Sequence, residues 1–140
     1  MDDDVFSEID DATASFEQPV ATLMADRIIS TPASATLRAA ASLMQEAGVG
    51  LLVVGTADDV QGVLSERDIV AAVAGGRDLD TETVGAVASQ VLKWAAPTSS
   101  VADVIEEMME GYLRHILVIG ENGKLVGVVS MRDLLAAFPG

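Results

Sequence analysis

Read for its hydrophobic period, the chain repeats itself. Leu37, Ala40, Ala41 and Met44 stand at i, i+3, i+4 and i+7, and Val101, Val104, Ile105 and Met108 repeat that spacing at an offset of 64 residues. Each set predicts one buried stripe of an amphipathic helix. Thr36 and Ser100 stand just ahead of the stripes as N-cap residues, and Asp103 follows Ser100 by three. Two apolar runs follow in each half and read as strands. They are Leu51 to Val54 with Val60 to Leu64, and Ile116 to Ile119 with Lys124 to Val129. Thr56 to Asp59 and Glu121 to Lys124 are the linking turns, and Asn122-Gly123 is a strong hairpin signal because both residues tolerate positive φ. The strand runs match at an offset of 65, which places one extra residue near the end of the second repeat's first long helix. A last helix in each half presents Ile69, Val70 and Val73, or Leu134, Leu135 and Phe138, and Gly75-Gly76 closes the first of these.

Upstream, residues 20–37 lie over residues 84–101. Each unit therefore reads as an extended lead-in segment, helix, strand, strand and helix. That is a β-α-β-β-α repeat of the α/β (α+β) class, and its nearly all-apolar strands suit sheets covered by helices. At about 55 residues, one unit alone is marginal, so the two are expected to pack through their sheets. A pseudo-two-fold axis between them leaves two equivalent clefts. The organisation is an acidic, flexible arm over 1–18, a first repeat over 19–76, a polar linker over 77–83 and a second repeat over 84–140.

Composition narrows the function classes. The chain has 140 residues, 22 acidic and 8 basic, with a formal charge of −14 and half its residues apolar. Wholesale disorder is excluded. Nucleic acid and anionic membrane surfaces are unsuited partners, since both need clustered Lys and Arg. Residues 1–17 hold seven of the acids and no base, so the arm supplies half of the net charge. With no cysteine and one histidine, disulfides, structural zinc and thiol chemistry have no residues to use. Met24, Met44, Met108, Met109 and Met131 read as core or interface filler rather than a metal site. No apolar run approaches the roughly 20 residues of a membrane span. The Met-Asp-Asp-Asp start is the opposite of a basic signal-peptide region, so a cytoplasmic location is expected. No Walker A loop and no complete GxGxxG occurs, and one histidine must serve any catalytic triad. An enzyme is therefore not expected.

The chemistry-bearing feature is a heptad. Gly62-Val63-Leu64-Ser65-Glu66-Arg67-Asp68 recurs as Gly127-Val128-Val129-Ser130-Met131-Arg132-Asp133, with five of seven positions identical. Glycine inside a strand marks a close approach by backbone or by ligand. Ser65 and Ser130 fall where strand gives way to helix, three residues before Asp68 and Asp133. Two readings stand at this point. Ser-x-x-Asp is a capping box that needs no ligand. It is equally a place where helix N–H groups face an anion while a carboxylate accepts from the vicinal hydroxyls of a ribose.

With this motif twice after a hairpin, residues 19–139 resemble the cystathionine-β-synthase (CBS) domain family, as a tandem pair or Bateman module. The resemblance implies that the motif Asp holds ribose hydroxyls and that the Ser contacts phosphate or ribose. It also implies that the lead-in segment lines an adenine. On that pattern, with the halves swapped about the axis, one cleft combines Ser30, Thr31 and Val49 with Ser130 and Asp133. The other combines Lys93, Trp94 and Leu113 with Ser65 and Asp68. Arg114 and His115 stand where nucleotide-binding relatives carry phosphate-holding bases. They read equally as a surface charge and a half-buried, hydrogen-bonded imidazole. Trp94 reads first as packing and second as a stack for a purine. The implied function is a non-enzymatic sensor that binds an adenosine-containing ligand (AMP, ADP, ATP, NAD or S-adenosylmethionine), with no covalent cofactor. A homodimeric four-repeat disc and a separate regulated protein are the implied partners. The alternative is a ligand-free dimerisation or partner-binding scaffold.

Overall fold

Both predicted stripes are helices of 11 residues in the computed structural model, which describes residues 15–25, 27–90 and 92–138. The elements run from a 3-10 turn (Val20–Thr22) through β1 (Ser30–Thr31), α1 (Leu37–Ala47), β2 (Leu51–Gly55), β3 (Val60–Ser65) and α2 (Glu66–Ala74). They continue with α3 (Val84–Val87), β4 (Trp94–Ala95), α4 (Val101–Gly111), β5 (His115–Ile119), β6 (Leu125–Ser130) and α5 (Met131–Ala137). Two three-stranded sheets result, in the orders β1-β2-β3 and β4-β5-β6. In each, a two-residue strand runs parallel to the first strand of a hairpin, as Ser30 beside Val53 and Trp94 beside Leu117. No helix of the described residues is long and apolar enough to cross a membrane.

The chain divides into two compact units, and their membership is the main departure from the sequence reading. One unit holds residues 27–93 and 123–126; the other holds residues 15–25, 94–122 and 127–138. The first part of each repeat's lead-in segment, 20–25 or 84–93, thus belongs to the unit built by the other. In the first-repeat unit, the second repeat's α3 delivers Val84, whose N–H donates to Ala35 O at 2.8 Å, and Ser89 bridges Val63. In the second-repeat unit, Val20 N–H donates to Ser99 O at 2.7 Å, and Ala25 bridges Val128. Val20 and Val84 are both fully buried, each within its unit's apolar interior. Val84 packs in a core with Leu37, Ala40, Met44, Leu52, Val54, Leu64 and Ala72. Burying one such side chain contributes about 1.5–3 kcal/mol.

The first three helical N–H groups of an α-helix have no intrahelical partner, and the fourth reaches the N-cap carbonyl. At α1, Leu37 N–H donates to Glu82 O, Arg38 to Leu79 O, Ala39 to the Thr36 hydroxyl and Ala40 to Thr36 O. At α4, Val101 N–H donates to Gln18 O, Ala102 to Phe16 O, Asp103 to the Ser100 hydroxyl and Val104 to Ser100 O. Thr36 and Ser100 are the predicted caps. The other acceptors come from the linker and from residues 15–18, so those segments are fastened rather than loose. Arg38 adds an ion pair to Asp80, and Arg77 to Glu82 at 3.2 Å. Phe16, expected in the arm, stacks on Phe138 with ring centroids 4.3 Å apart. The arm's residues 1–14 lie outside the described residues.

The extra residue of the second repeat also lies elsewhere than expected. Both long helices end on a left-handed residue, Gly48 and Tyr112, at the offset of 64. That offset persists into β5, since β2 and β5 carry the same burial pattern with Leu52 answering Ile116. The insertion falls in the hairpin: four residues separate β2 from β3, and five separate β5 from β6. The shorter turn is accommodated by a bulge at Val54/Gly55, where Gly55 has φ 105°. Arg114 therefore answers Gly50, and His115 answers Leu51. Helix α5 stops at Ala137, so Phe138 is its C-cap and not a helical residue.

The motif glycines are explained by the exchanged segments. A Cβ on Gly62 would lie 2.7 Å from Ser89 O, and one on Gly127 would lie 2.6 Å from Met24 Sδ and 2.9 Å from Ala25 O. Gly62→Ala should lower stability by about 1–3 kcal/mol, seen as a reduced urea midpoint at unchanged slope. An unchanged midpoint would mean that the Ser89 segment does not lie against β3. For the aromatic clasp, a double-mutant cycle with Phe16→Ala and Phe138→Ala should return a coupling of about 0.5–1.5 kcal/mol.

Candidate functional site

A strand that runs directly into a helix must turn at one residue and supply that residue as the cap. Ser65 does so between β3 and α2, with φ −101° and ψ 162°. Its hydroxyl accepts the Asp68 N–H at 3.2 Å. Asp68 Oδ2 in turn accepts from Ser65 N–H at 2.8 Å and from the Ser65 hydroxyl at 3.0 Å. The capping box is complete, and the Ser65 hydroxyl proton is committed within it. Glu66 N–H donates to Gly50 O at 3.0 Å, which holds Val49 and Gly50 against the motif. The Glu66 carboxylate lies over Gly50, where a Cβ would be 3.2 Å from Oε1.

Ser130 repeats the turn between β6 and α5, with φ −104° and ψ 151°, and its hydroxyl accepts the Asp133 N–H at 3.0 Å. There the likeness between the motifs ends. Among the described residues the Asp133 carboxylate accepts no hydrogen bond and joins no ion pair, and the Ser130 hydroxyl proton is not donated. Met131 N–H donates to Arg114 O at 2.8 Å, so Arg114 stands beside this motif in the place of Gly50. Arg114 is exposed, and its guanidinium has no partner among the described residues. His115, half-buried, opens β5 and takes part in an interaction of its own.

The remaining residues named from sequence divide clearly. Ser30 and Lys93 are exposed. Thr31 is 4% exposed and its hydroxyl donates to Pro32 O at 3.4 Å, so it serves the interior and not a ligand surface. Val49 and Leu113 close the long helices, their N–H groups donating to Met44 O at 3.1 Å and Met108 O at 2.8 Å. Trp94 is 63% exposed and does not pack inside, which corrects the packing role. It lines a pocket of about 400 Å³ with Asp103, Glu106, Glu107 and Glu110. Sequence reasoning missed that pocket, although the acids' helical spacing marks one face of α4. Within the units, Ser30, Val49, Gly50 and Lys93 accompany Ser65 and Asp68, while Trp94, Leu113 and Arg114 accompany Ser130 and Asp133.

The CBS domain profile matches this chain twice, over residues 20–75 and 84–140. The chain belongs to the CBS domain family. It is a CBS pair, the family's regulatory type of module. Its sequence is 38% identical over 103 residues to an uncharacterized 17.7 kDa protein of Acidianus ambivalens, a match spanning 73% of this chain and 62% of that protein. It is 35% identical over 106 residues to hypoxic response protein 1 of Mycobacterium tuberculosis, covering 74% of this chain and 73% of that one. Among solved structures, a CBS domain protein from Pyrobaculum aerophilum complexed with AMP superposes with a TM-score of 0.74. That structure is 35% identical, and the match covers 83% of this chain and 89% of the other.

The two motifs of the CBS pair should differ in what they contribute to stability. Asp68→Ala removes the carboxylate that accepts from the Ser65 N–H and hydroxyl, and should cost about 1–2 kcal/mol. Asp133→Ala removes an exposed, uncommitted carboxylate and should change the melting temperature little. Equal losses in calorimetry would show that the boxes are equivalent in solution.

Proposed function

We propose that this CBS pair is a non-enzymatic sensor of an adenosine-containing ligand, held through the Ser130–Asp133 motif of the second repeat. One observation carries the reading: among the described residues the Asp133 carboxylate is exposed and uncommitted, and Arg114 beside it is unpaired. A carboxylate with free lone pairs accepts from both vicinal hydroxyls of a ribose. The Arg114 guanidinium and the Ser130 hydroxyl supply donors to phosphate oxygens. The AMP complex of the P. aerophilum relative supports an adenine nucleotide as the ligand class. The chain's acidity does not oppose this, because a single phosphate needs one local cation and not a basic face.

Binding acts by population shift: the ligand favours the arrangement with which it makes more contacts, and a partner reads the outcome. The partner includes a second copy of the chain. Helix α2 leaves Val70 and Val73 exposed by 66% and 55%, and α5 leaves Leu135 exposed by 67%. Those apolar side chains are of the kind buried in homodimers. A ligand-free scaffold is the second reading, favoured by the complete capping box at Ser65 and Asp68, which needs no ligand.

A thermal-shift series with AMP, ADP, ATP, NAD and S-adenosylmethionine separates the two. Ligand at a hundred times its dissociation constant should stabilise the protein by about 2.7 kcal/mol. Asp133→Ala should weaken binding about 10- to 100-fold, the loss of a charge-assisted hydrogen bond. No shift with any of the five compounds would leave the scaffold.

A further inference from the structure

We infer that the two motifs are chemically specialised: the second-repeat motif takes the phosphate-bearing ligand, and the first-repeat motif rejects it, with Glu66 as the rejecting residue. The inference rests on the adenosine-ligand reading and adds the stoichiometry and the residue that sets it. Five motif positions are identical in the two repeats, including Arg67 and Arg132, so those cannot distinguish the sites. The two that matter differ in charge. Where the second repeat has Met131 and Arg114, the first has Glu66 and Gly50.

Three features of the first motif work against a nucleotide. The Glu66 carboxylate lies over Gly50, the position that Arg114 occupies in the other repeat. Glu66 has no ion pair among the described residues to neutralise it. With Asp68 it gives the first motif two carboxylates against Arg67, where the second has Asp133 against Arg132 and Arg114. An anion meets repulsion at the first and attraction at the second. The bonds already made add to the bias. Asp68 Oδ2 carries two donors at 2.8 and 3.0 Å, and the Ser65 proton is spent on that carboxylate. Asp68 keeps one oxygen, Oδ1, for a ribose, whereas Asp133 keeps both and Ser130 keeps its proton.

Isothermal titration of the full chain with AMP, and in parallel with adenosine, tests this. The wild-type protein should bind one AMP per chain. Asp133→Asn should weaken that equivalent about tenfold or more, and Asp68→Asn should retain it at unchanged affinity. The double variant Gly50→Arg with Glu66→Met should bind a second AMP, and Arg114→Gly should weaken AMP by about tenfold or more while affecting adenosine less. Should the double variant melt below the assay temperature, wild-type stoichiometry with the two asparagine variants decides alone. Two AMP per chain in the wild type, one of them lost in Asp68→Asn, would overturn the specialisation and leave the adenosine reading standing. Heat from neither AMP nor adenosine would overturn that reading, and the specialisation with it.

Discussion

The first turn of each long helix depends on backbone carbonyls from the chain just ahead of the exchanged segment, Leu79 and Glu82 for α1 and Phe16 and Gln18 for α4, and the rest of each unit follows from that dependence. Four N–H groups open α1 and four open α4, and in each case two are satisfied by the local cap and two by the incoming segment. A buried N–H without an acceptor costs about 1–3 kcal/mol, so neither helix is complete within its own repeat. The segment that brings the carbonyls also brings a valine, Val20 or Val84, into the apolar interior. It then continues along the edge of β6 or β3, where a side chain would collide with it, and the strand carries glycine there. Cap, plug and edge contact are three consequences of one exchanged segment. A single repeat would lose all three, which is a sharper reason for the pairing of repeats than their small size.

Much of this was legible in the residues, and what was not has a common cause. The stripes at Leu37 and Val101, the caps Thr36 and Ser100, the hairpins and the closing Gly75-Gly76 announce themselves through side-chain type, and the structure has them where periodicity puts them. The exchange is invisible because carbonyl oxygens mediate it, and every residue has one. Phe16 and Gln18 read as arm because they lie among acids. Their role is carried by their main-chain oxygens and by a stack on Phe138 that lies 122 positions away. The insertion was misplaced because Leu51 to Val54 and Ile116 to Ile119 look alike in either register, and apolar identity does not report which face is buried. The left-handed closure shared by Gly48 and Tyr112 fixes the register, but a tyrosine gives no sign of it.

The candidate site shows the same division. The two strand-to-helix turns were legible, because Ser-x-x-Asp is a side-chain signal. The difference between its two copies was not, since five of seven motif residues are the same. What separates them is the neighbour brought alongside by a single backbone hydrogen bond, from Glu66 to Gly50 O in one repeat and from Met131 to Arg114 O in the other. Trp94 and the acids of α4 were separately visible and their shared pocket was not, because β4 and α4 meet only in the folded unit.

Capping and ligand binding were opposed as readings of the motif, yet they draw on different atoms and need not compete. The cap requires the serine oxygen as an acceptor for the Asp N–H, and both repeats keep that bond, at 3.2 and 3.0 Å. The proposed ligand contacts draw on the serine proton and the carboxylate lone pairs, and only the first repeat spends its proton and one carboxylate oxygen internally. The helix therefore begins in both repeats whether or not anything is bound, which frees the second carboxylate from structural duty. Such a division lets one repeat act as fixed scaffold while its twin responds, although both descend from one pattern of residues. Internal symmetry supplies the architecture twice, and the residues at positions 50, 66, 114 and 131 break it beside the two Ser-x-x-Asp turns.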